Sequence, residues 1–297
     1  MTRMFVRNVV SRLRIIVALF VLAWGLTGCS AVRFGYNQGP ELAYWWLDGY
    51  ADFDDAQSLR VRDALAQWFA WHRRTQLPDY AGLLVRAQAE VLADTSPERA
   101  CHWWSELRLR ADRALDQALP AAAELATTLK PAQLQHIERR QARNNEEFRD
   151  EYLDKDPQRR QERSVKRVVE RAEFLYGTLD EGQRALVAKL VAASPFDAEV
   201  WNAERLQRQQ DSVALLRRLG TERAAPDAAQ AALRAWSERM VSSPREAYRR
   251  HQQRLEAYNC SFAASLHNAT TPAQRQAAVA KLKGWEADFR ALSAAAD

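Results

Sequence analysis

Glycine, proline, cysteine and histidine are all scarce in this sequence. Its 297 residues include only ten glycines, ten prolines, three cysteines and five histidines. So few glycines and prolines leave little room for the many turns of an all-β fold. The sequence contains no His-Glu-x-x-His, no Gly-x-Ser-x-Gly, no phosphate-binding loop and no dinucleotide fingerprint. It therefore predicts no enzyme activity, no metal site and no cofactor.

A strong basic field is also lacking once the N-terminus is set aside. The formal net charge is +5, but residues 1–28 contain four arginines and no acid, so the remaining residues have a net charge of only +1. A nucleic-acid-binding domain normally keeps a large excess of positive charge. We therefore expect no nucleic-acid partner.

The first 28 residues have the pattern of a cleaved export signal. A basic start is followed by an apolar run, Ile15 to Trp24, which is too short for a membrane-spanning helix. The next segment, Leu26-Thr27-Gly28-Cys29, resembles the bacterial lipobox, whose cysteine becomes the acylated N-terminus. This resemblance implies that acyl chains on Cys29 fasten the protein to the lipid bilayer. An uncleaved signal anchor with an incidental cysteine is the alternative.

The serine after the lipobox indicates where such a lipoprotein is sorted. In bacterial lipoproteins an aspartate at this position usually means retention in the inner membrane, whereas this sequence has Ser30. The resemblance therefore implies a lipid anchor in the outer membrane, with the protein on the periplasmic side.

The rest of the chain is predicted to be helical almost throughout. Four segments place a glutamine three residues after an N-capping position, which is the pattern of a helix start: Asp54 to Gln57, Lys130 to Gln133, Asp180 to Gln183 and Thr271 to Gln274. With other Ser-Pro and Pro signals, we predict helix starts near residues 54, 77, 97, 131, 158, 180, 195, 226, 244 and 272. The predicted fold is all-α, a multi-helix antiparallel bundle-like domain behind a cleaved lipoprotein signal peptide.

These patterns divide the chain into three parts. Residues 1–28 are the signal peptide, residues 29–40 a lipidated tether and residues 41–297 a single helical domain. Any subdomain break is expected near residues 220–227, where Gly220 and Pro226 interrupt the helical pattern.

Two cysteines remain after Cys29. Cys101 and Cys260 are predicted to form a disulfide, because leftover cysteines in an exported protein usually pair. Two buried free thiols are the alternative.

Adjacent tryptophans occur twice after the leader, as Trp45-Trp46 and Trp103-Trp104. Neighbours on a helix point about 100° apart, so one member of each pair must meet a second helix, a ligand or the membrane interface. Packing between helices is the favoured role. These four residues are nevertheless candidates for a groove or interface.

Two polar residues interrupt an otherwise apolar helix face. Gln141 and Asn145 lie on the side of their helix that also holds Leu134, Ile137 and Phe148. They are predicted either to be buried and hydrogen-bonded to a neighbour or to line a groove.

The following stretch, Arg139 to Arg171, mixes many arginines with acids. This pattern is typical of solvated helix faces, with contact to anionic lipid headgroups or cell-wall polymer as the alternative.

Two family resemblances add to this interpretation. Leu47-Asp48-Gly49-Tyr50, Gln57, Trp71-His72-Arg73-Arg74 and Leu77-Pro78-Asp79-Tyr80 resemble an uncharacterised family of helical outer-membrane lipoproteins of Gram-negative bacteria. That resemblance implies an envelope location and a helical fold. A weaker likeness links Leu129 to Gln133 and Leu179 to Gln183 with periplasmic chaperones that have a Leu-Thr-x-x-Gln motif. Lys130 and Asp180 stand here where those chaperones have threonine.

Three functions are compatible with these observations. The first is a lipid-anchored structural or interaction module that binds an unknown envelope protein. The second is an ATP-independent chaperone or envelope-stress sensor that binds client polypeptides. The third, a cell-wall or lipid enzyme, has no motif in its favour.

Overall fold

The structure is a computed structural model that describes residues 31–295. Within this range the chain forms helices and no strands, so the predicted all-α fold class is confirmed. The predicted signal peptide, 1–28, and Cys29 lie outside the described residues. The eleven helices are α1 (Ala31–Asn37), α2 (Gly39–Ala51), α3 (Asp55–Glu90), α4 (Pro97–Thr128), α5 (Pro131–Tyr152), α6 (Pro157–Tyr176), α7 (Glu181–Ala192), α8 (Ala198–Glu222), α9 (Pro226–Val241), α10 (Glu246–Asn268) and α11 (Pro272–Ala294).

Nine of the ten predicted helix starts lie within three residues of an observed start. The tenth, near residue 77, is wrong, because Pro78 lies inside the long helix α3. Leu77 and Ala81 on either side of it are completely or almost completely buried, whereas Pro78 is exposed. Their burial holds the helix together across a residue that cannot donate a backbone hydrogen bond.

The described chain from residue 40 onward forms one compact unit, and α1 belongs to a separate unit. Helix α1 falls in the segment predicted as a tether, which is therefore helical in part. Near the predicted subdomain break, α8 ends at Glu222 and is capped by Arg223, whose φ of 46° is left-handed. Such a conformation stops the helix and lets the chain turn into α9.

Helix α4 is the central element of the packing. It contacts α3, α8, α9 and α10, while α3 packs along α11 as the most extensive helix pair. Three small apolar clusters form the described core instead of one large one. The largest joins α4, α8 and α9 through Leu119, Ala123, Ala126, Leu215, Leu219, Ala229 and Leu233. Its alanines allow the helix backbones to approach closely.

A disulfide joins α4 to α10. Cys101 and Cys260 are bonded to each other across 159 residues of sequence, with their Cα atoms 5.2 Å apart. The bond fixes the N-terminal part of α4 against α10, at a distance from the apolar cluster of α4, α8 and α9.

Candidate functional site

Four helix starts share one hydrogen-bonding arrangement. At each start, a glutamine side-chain oxygen accepts the backbone N–H of the N-capping residue three positions earlier, at 2.8–3.1 Å. The four glutamines are Gln57 at α3, Gln133 at α5, Gln183 at α7 and Gln274 at α11. These are the four segments that the sequence singled out as helix starts.

The structure brings the four glutamines together in two pairs. We use the term glutamine clasp for a pair in which each carboxamide donates to the other. In the first clasp, Gln133 Nε2 donates to Gln57 Oε1 at 2.7 Å, and Gln57 Nε2 donates to Gln133 Oε1 at 3.3 Å. Each amide also donates to a backbone carbonyl of the partner's turn, that of Thr128 or Asp52.

The second clasp repeats the reciprocal and backbone hydrogen bonds of the first, which has one further bond from Gln57 Nε2 to Thr128 Oγ1. Gln183 and Gln274 donate to each other at 2.7 and 2.8 Å. Their amides also bond the carbonyls of Ala269 and Thr178. In both clasps the accepting carbonyl lies two residues before the partner's N-capping residue. Both amide hydrogens and the oxygen of every clasp glutamine are therefore used, which gives these residues a role in holding helix starts together.

The candidate binding surface lies instead along α8, where two open hollows share the side chain of Gln209. The α5–α8 hollow has a volume of about 360 Å³. It is lined by Glu138, Gln141, Ala142, Asn145, Leu206, Gln209, Gln210, Val213 and Arg217.

Asn145 and Gln209 form the wall between the two hollows. Asn145 Nδ2 donates to Gln209 Oε1 at 2.8 Å, and Gln209 Nε2 donates back to Asn145 Oδ1 at 2.9 Å. Asn145 is buried, and Gln141 one turn earlier is half-buried. The structure thus places both polar residues of the apolar α5 face in one hollow, and Asn145 also bonds a neighbouring helix.

The second, α8–α9 hollow has a volume of about 220 Å³. Its lining combines aromatic rings with guanidinium groups, namely Trp201, Glu204, Arg205, Arg208, Gln209, Ser212, Trp236, Met240 and Tyr248. Trp236 Nε1 and Arg208 Nη2 are buried there without a hydrogen-bond partner in the protein. Both are donors, so the wall of this hollow is short of acceptor oxygens.

A buried carboxylate supports the arginines of this hollow. Glu204, only 5% exposed, receives Arg245 Nε at 2.6 Å and Arg208 Nε at 2.8 Å. Burial by itself would raise the pKa of Glu204, but hydrogen bonds from Arg245, Ser243 and Arg208 outweigh it, so the pKa is lowered. The hydrogen bonds of Arg245 to Glu204 and Asp211 raise the pKa of Arg245. The charged groups below the hollow are thus held ionised and in place.

Sequence reasoning missed the residues of the α8–α9 hollow. Trp201, Arg205 and Arg208 are spaced at i, i+4 and i+7, which places them on one side of α8. The Arg205 guanidinium lies 5.1 Å from the ring centre of Phe148 and 5.9 Å from that of Trp201. That spacing was the available signal, but it does not show which helix provides the opposite wall.

The candidate tryptophan pairs lie away from both hollows. Trp103 is half-buried and donates to Glu90 at 2.9 Å, whereas Trp104 is 51% exposed. Trp45 and Trp46 are 78% and 62% exposed. The favoured interhelical role is therefore wrong for Trp45 and Trp46, because among residues 31–295 it is the opposite side of α2, with Tyr44, that packs against the next helix.

Two classes of site are absent from the part of the chain that the structure describes. No group of three or more histidine, cysteine, aspartate or glutamate side chains between residues 31 and 295 is placed to hold a metal ion. None of the helices in that range is long and apolar enough to cross a membrane.

Comparison with known proteins gives one match. Residues 49–249 match a family of unknown function, DUF6279. No curated protein and no solved structure matches the chain. The matched segment runs from the end of α2 into α10 and includes the first glutamine clasp and both hollows.

Proposed function

Because the chain belongs to DUF6279, a family of unknown function, its activity has to be argued from its own residues, and we propose that it is a lipid-anchored interaction module of the cell envelope. In this proposal acylated Cys29 holds the helical domain on the periplasmic face of the outer membrane. The hollows beside α8 bind a polypeptide segment of another envelope component.

The anchor is supported by the sequence of the leader. A basic start, a short apolar run and Leu26-Thr27-Gly28-Cys29 stand in the order that lipoprotein processing requires. Acyl chains add about 0.8 kcal/mol per buried CH₂, so several chains hold a protein firmly on a bilayer without a spanning helix.

The interaction role rests on the α8–α9 hollow. The guanidinium group of Arg205, which is half-buried, lines this hollow and can donate hydrogen bonds to a carbonyl or carboxylate oxygen of a polypeptide. The rings of Trp201, Trp236 and Tyr248 offer aromatic area of the kind that is enriched at protein interfaces.

Metabolic labelling tests the anchor. In cells fed labelled palmitate, the wild-type protein is expected to acquire label and the Cys29→Ser variant is expected to acquire none. Label of equal intensity in both proteins, or in neither, would refute the anchor.

Site-specific photo-crosslinking in intact cells tests the interaction. Gln210 is exposed and lines the α5–α8 hollow, whereas exposed Arg171 on α6 provides a matched control position. We expect one discrete crosslinked product from position 210 and none from position 171. The product should weaken in an Arg205→Ala variant. Equal products from both positions, or none from position 210, would exclude the α5–α8 hollow as a binding site. A product from position 210 that Arg205→Ala leaves unchanged would exclude the α8–α9 hollow.

A chaperone is the second candidate, favoured by an exposed apolar stripe on α4. Trp104, Leu107 and Leu115 are 51%, 52% and 38% exposed and lie on one side of this helix. Under this alternative, crosslinking would give many client adducts, and equimolar protein would suppress aggregation of a model client. A Trp104→Ser/Leu107→Ser variant would then lose that suppression, and an inactive wild-type protein would remove the alternative.

A further inference from the structure

We propose that one face of α2 lies in the headgroup layer of an anionic phospholipid bilayer. The face consists of Leu42, Trp45 and Trp46, and we refer to it as the α2 aromatic face. The inference rests on the proposed lipid anchor, and it adds a second, non-covalent contact with the same bilayer.

The α2 aromatic face is apolar, exposed and confined to one side of the helix. Leu42 is 58%, Trp45 78% and Trp46 62% exposed. Their i, i+3, i+4 spacing places them together, while Tyr44 and Ala51 on the opposite side are buried. Three large apolar side chains within five residues, all facing away from the protein, indicate a surface that binds another protein or a membrane.

The composition of this face matches the interfacial layer of a bilayer. Tryptophan and tyrosine favour that layer because their rings are apolar and their N–H or O–H groups can reach water and headgroups. The Trp46 ring centre lies 4.8 Å from that of Tyr50, so the aromatic surface continues along α2.

Arginines of α5 border this surface. The Arg140 guanidinium lies 5.6 Å from the ring centre of Tyr50, and Asn144 donates to the Tyr50 hydroxyl. Arg139 and Arg143 beside it are exposed. An aromatic surface bordered by arginines fits anionic headgroups, because basic side chains near a bilayer are attracted to its negative surface potential.

Neighbouring acids partly offset these arginines. Glu41, which precedes Leu42, is paired with Arg62 at 2.6 Å. Asp52 lies 4.0 Å from His136. Glu147, on the same side of α5 as Arg140, is exposed. The edge of α5 therefore carries both signs of charge, and Arg140 is the cation that lies over an aromatic ring of α2 there.

The length of the connecting chain keeps the face within reach of the bilayer. Leu42 follows the predicted acylation site, Cys29, by only thirteen residues, of which Ala31–Asn37 are helical. A helix advances 1.5 Å per residue and an extended chain about 3.5 Å, so the connection spans at most about 30 Å. An acyl anchor on Cys29 therefore confines the α2 aromatic face to the neighbourhood of the membrane surface.

Fluorescence quenching by brominated lipid tests this placement. The full-length acylated protein is reconstituted into vesicles of equal parts phosphatidylcholine and phosphatidylglycerol that have bromines on the upper acyl chain. We expect tryptophan emission to be quenched relative to vesicles without bromine. A Trp45→Phe/Trp46→Phe variant should lose this quenching, because phenylalanine keeps the apolar face but removes the fluorophore.

A second tryptophan pair provides the matched control. Trp103→Phe/Trp104→Phe removes the same number of fluorophores from α4 and should leave the quenching in place. Replacing phosphatidylglycerol by phosphatidylcholine, or Arg140 by glutamine, should reduce the quenching. Equal quenching under all these conditions would overturn the role of anionic headgroups.

Mass spectrometry of the same sample separates this inference from the anchor. Protein that is acylated at Cys29 and bound to vesicles, yet unquenched, would overturn the α2 contact and leave the proposed function standing. Quenching that persists in Trp45→Phe/Trp46→Phe would also overturn the contact. Protein without acyl chains on Cys29 would overturn the anchor and this placement together.

Discussion

Replacing Gln57 by alanine should destabilise the domain far more than an ordinary surface substitution does. The change removes one half of the first glutamine clasp. The backbone N–H of Asp54 loses its acceptor, one amide hydrogen of Gln133 loses its partner, and the carbonyl of Thr128 loses a donor. Gln57 and Gln133 are both buried, so water replaces these contacts poorly.

The expected loss follows from these three groups, each of which loses a hydrogen-bond partner. A typical hydrogen bond contributes about 1 kcal/mol net, and a buried group left without a partner costs about 1–3 kcal/mol. We therefore expect the free energy of unfolding to fall by about 3 kcal/mol. For a domain of this size 1 kcal/mol corresponds to about 2–4 °C, so the melting temperature should fall by about 6–12 °C.

Urea unfolding, followed by far-ultraviolet circular dichroism, measures this loss. Gln135→Ala is the matched control, because Gln135 lies near the start of α5, two residues after the clasp residue Gln133, but is exposed. It should change the free energy of unfolding by less than about 0.5 kcal/mol. The Gln57→Ala/Gln133→Ala double variant should be more stable than the two single changes predict, by about 1–2 kcal/mol. A Gln57→Ala variant as stable as Gln135→Ala, or strictly additive losses, would refute the clasp as a stabilising unit.

Three further predictions concern the disulfide and two buried ionisable groups. Replacing Cys101 and Cys260 by serine should lower the free energy of unfolding by about 5 kcal/mol on the chain-entropy model, since the bond closes a loop across 159 residues; an unchanged urea midpoint would contradict this. Burial lowers the pKa of His72 below its ordinary 6.5. The contribution of His72 to the free energy of unfolding is therefore fully present above pH 6.5 and is lost as the pH falls below that value. A His72→Phe variant should show a flatter pH dependence of stability between about pH 7 and pH 5. Arg245→Met should cost about 3 kcal/mol at neutral pH, because the buried Glu204 carboxylate loses its main partner. The pKa of Glu204 is lowered from 4.5, so that cost should shrink as the pH falls through the lowered value, which unfolding measured across the acid range would show.

Local signals in the sequence predicted the fold well. A helix start depends on a capping residue and a glutamine or glutamate three positions later, so Asp54 to Gln57 or Asp180 to Gln183 contain all the information needed. The exception is Leu77-Pro78, where a proline stands as it often does in the first turn of a helix. Only the burial of Leu77 and Ala81 by distant helices decides that α3 continues there.

The sequence patterns could not predict contacts between residues that are far apart in the chain. Gln57 and Gln133 are 76 residues apart, and Gln183 and Gln274 are 91 residues apart. Each glutamine satisfies its own helix start regardless of the other, so nothing local indicates that they meet. The pairing depends on how the helices between them are arranged.

In the candidate site, too, local features were predictable from the sequence and contacts with other helices were not. The polar residue Asn145 on an apolar helix face was visible in the sequence, because its position follows from a spacing of 3.6 residues per turn. Its partner Gln209 and the opposite wall at Trp236 come from other helices. For Trp45 and Trp46, periodicity gives the side of α2 on which they lie, but it does not reveal that this side is exposed.

The position of the disulfide has a consequence for proteolysis. Cys101 and Cys260 stand on either side of helices α5 to α9. A peptide bond cut in any of the turns between those helices would therefore leave two fragments that remain covalently joined. Such nicked molecules should migrate as one species on a gel without reductant and as two after reduction. A molecule exposed to proteases could in this way be cleaved and still not fall apart.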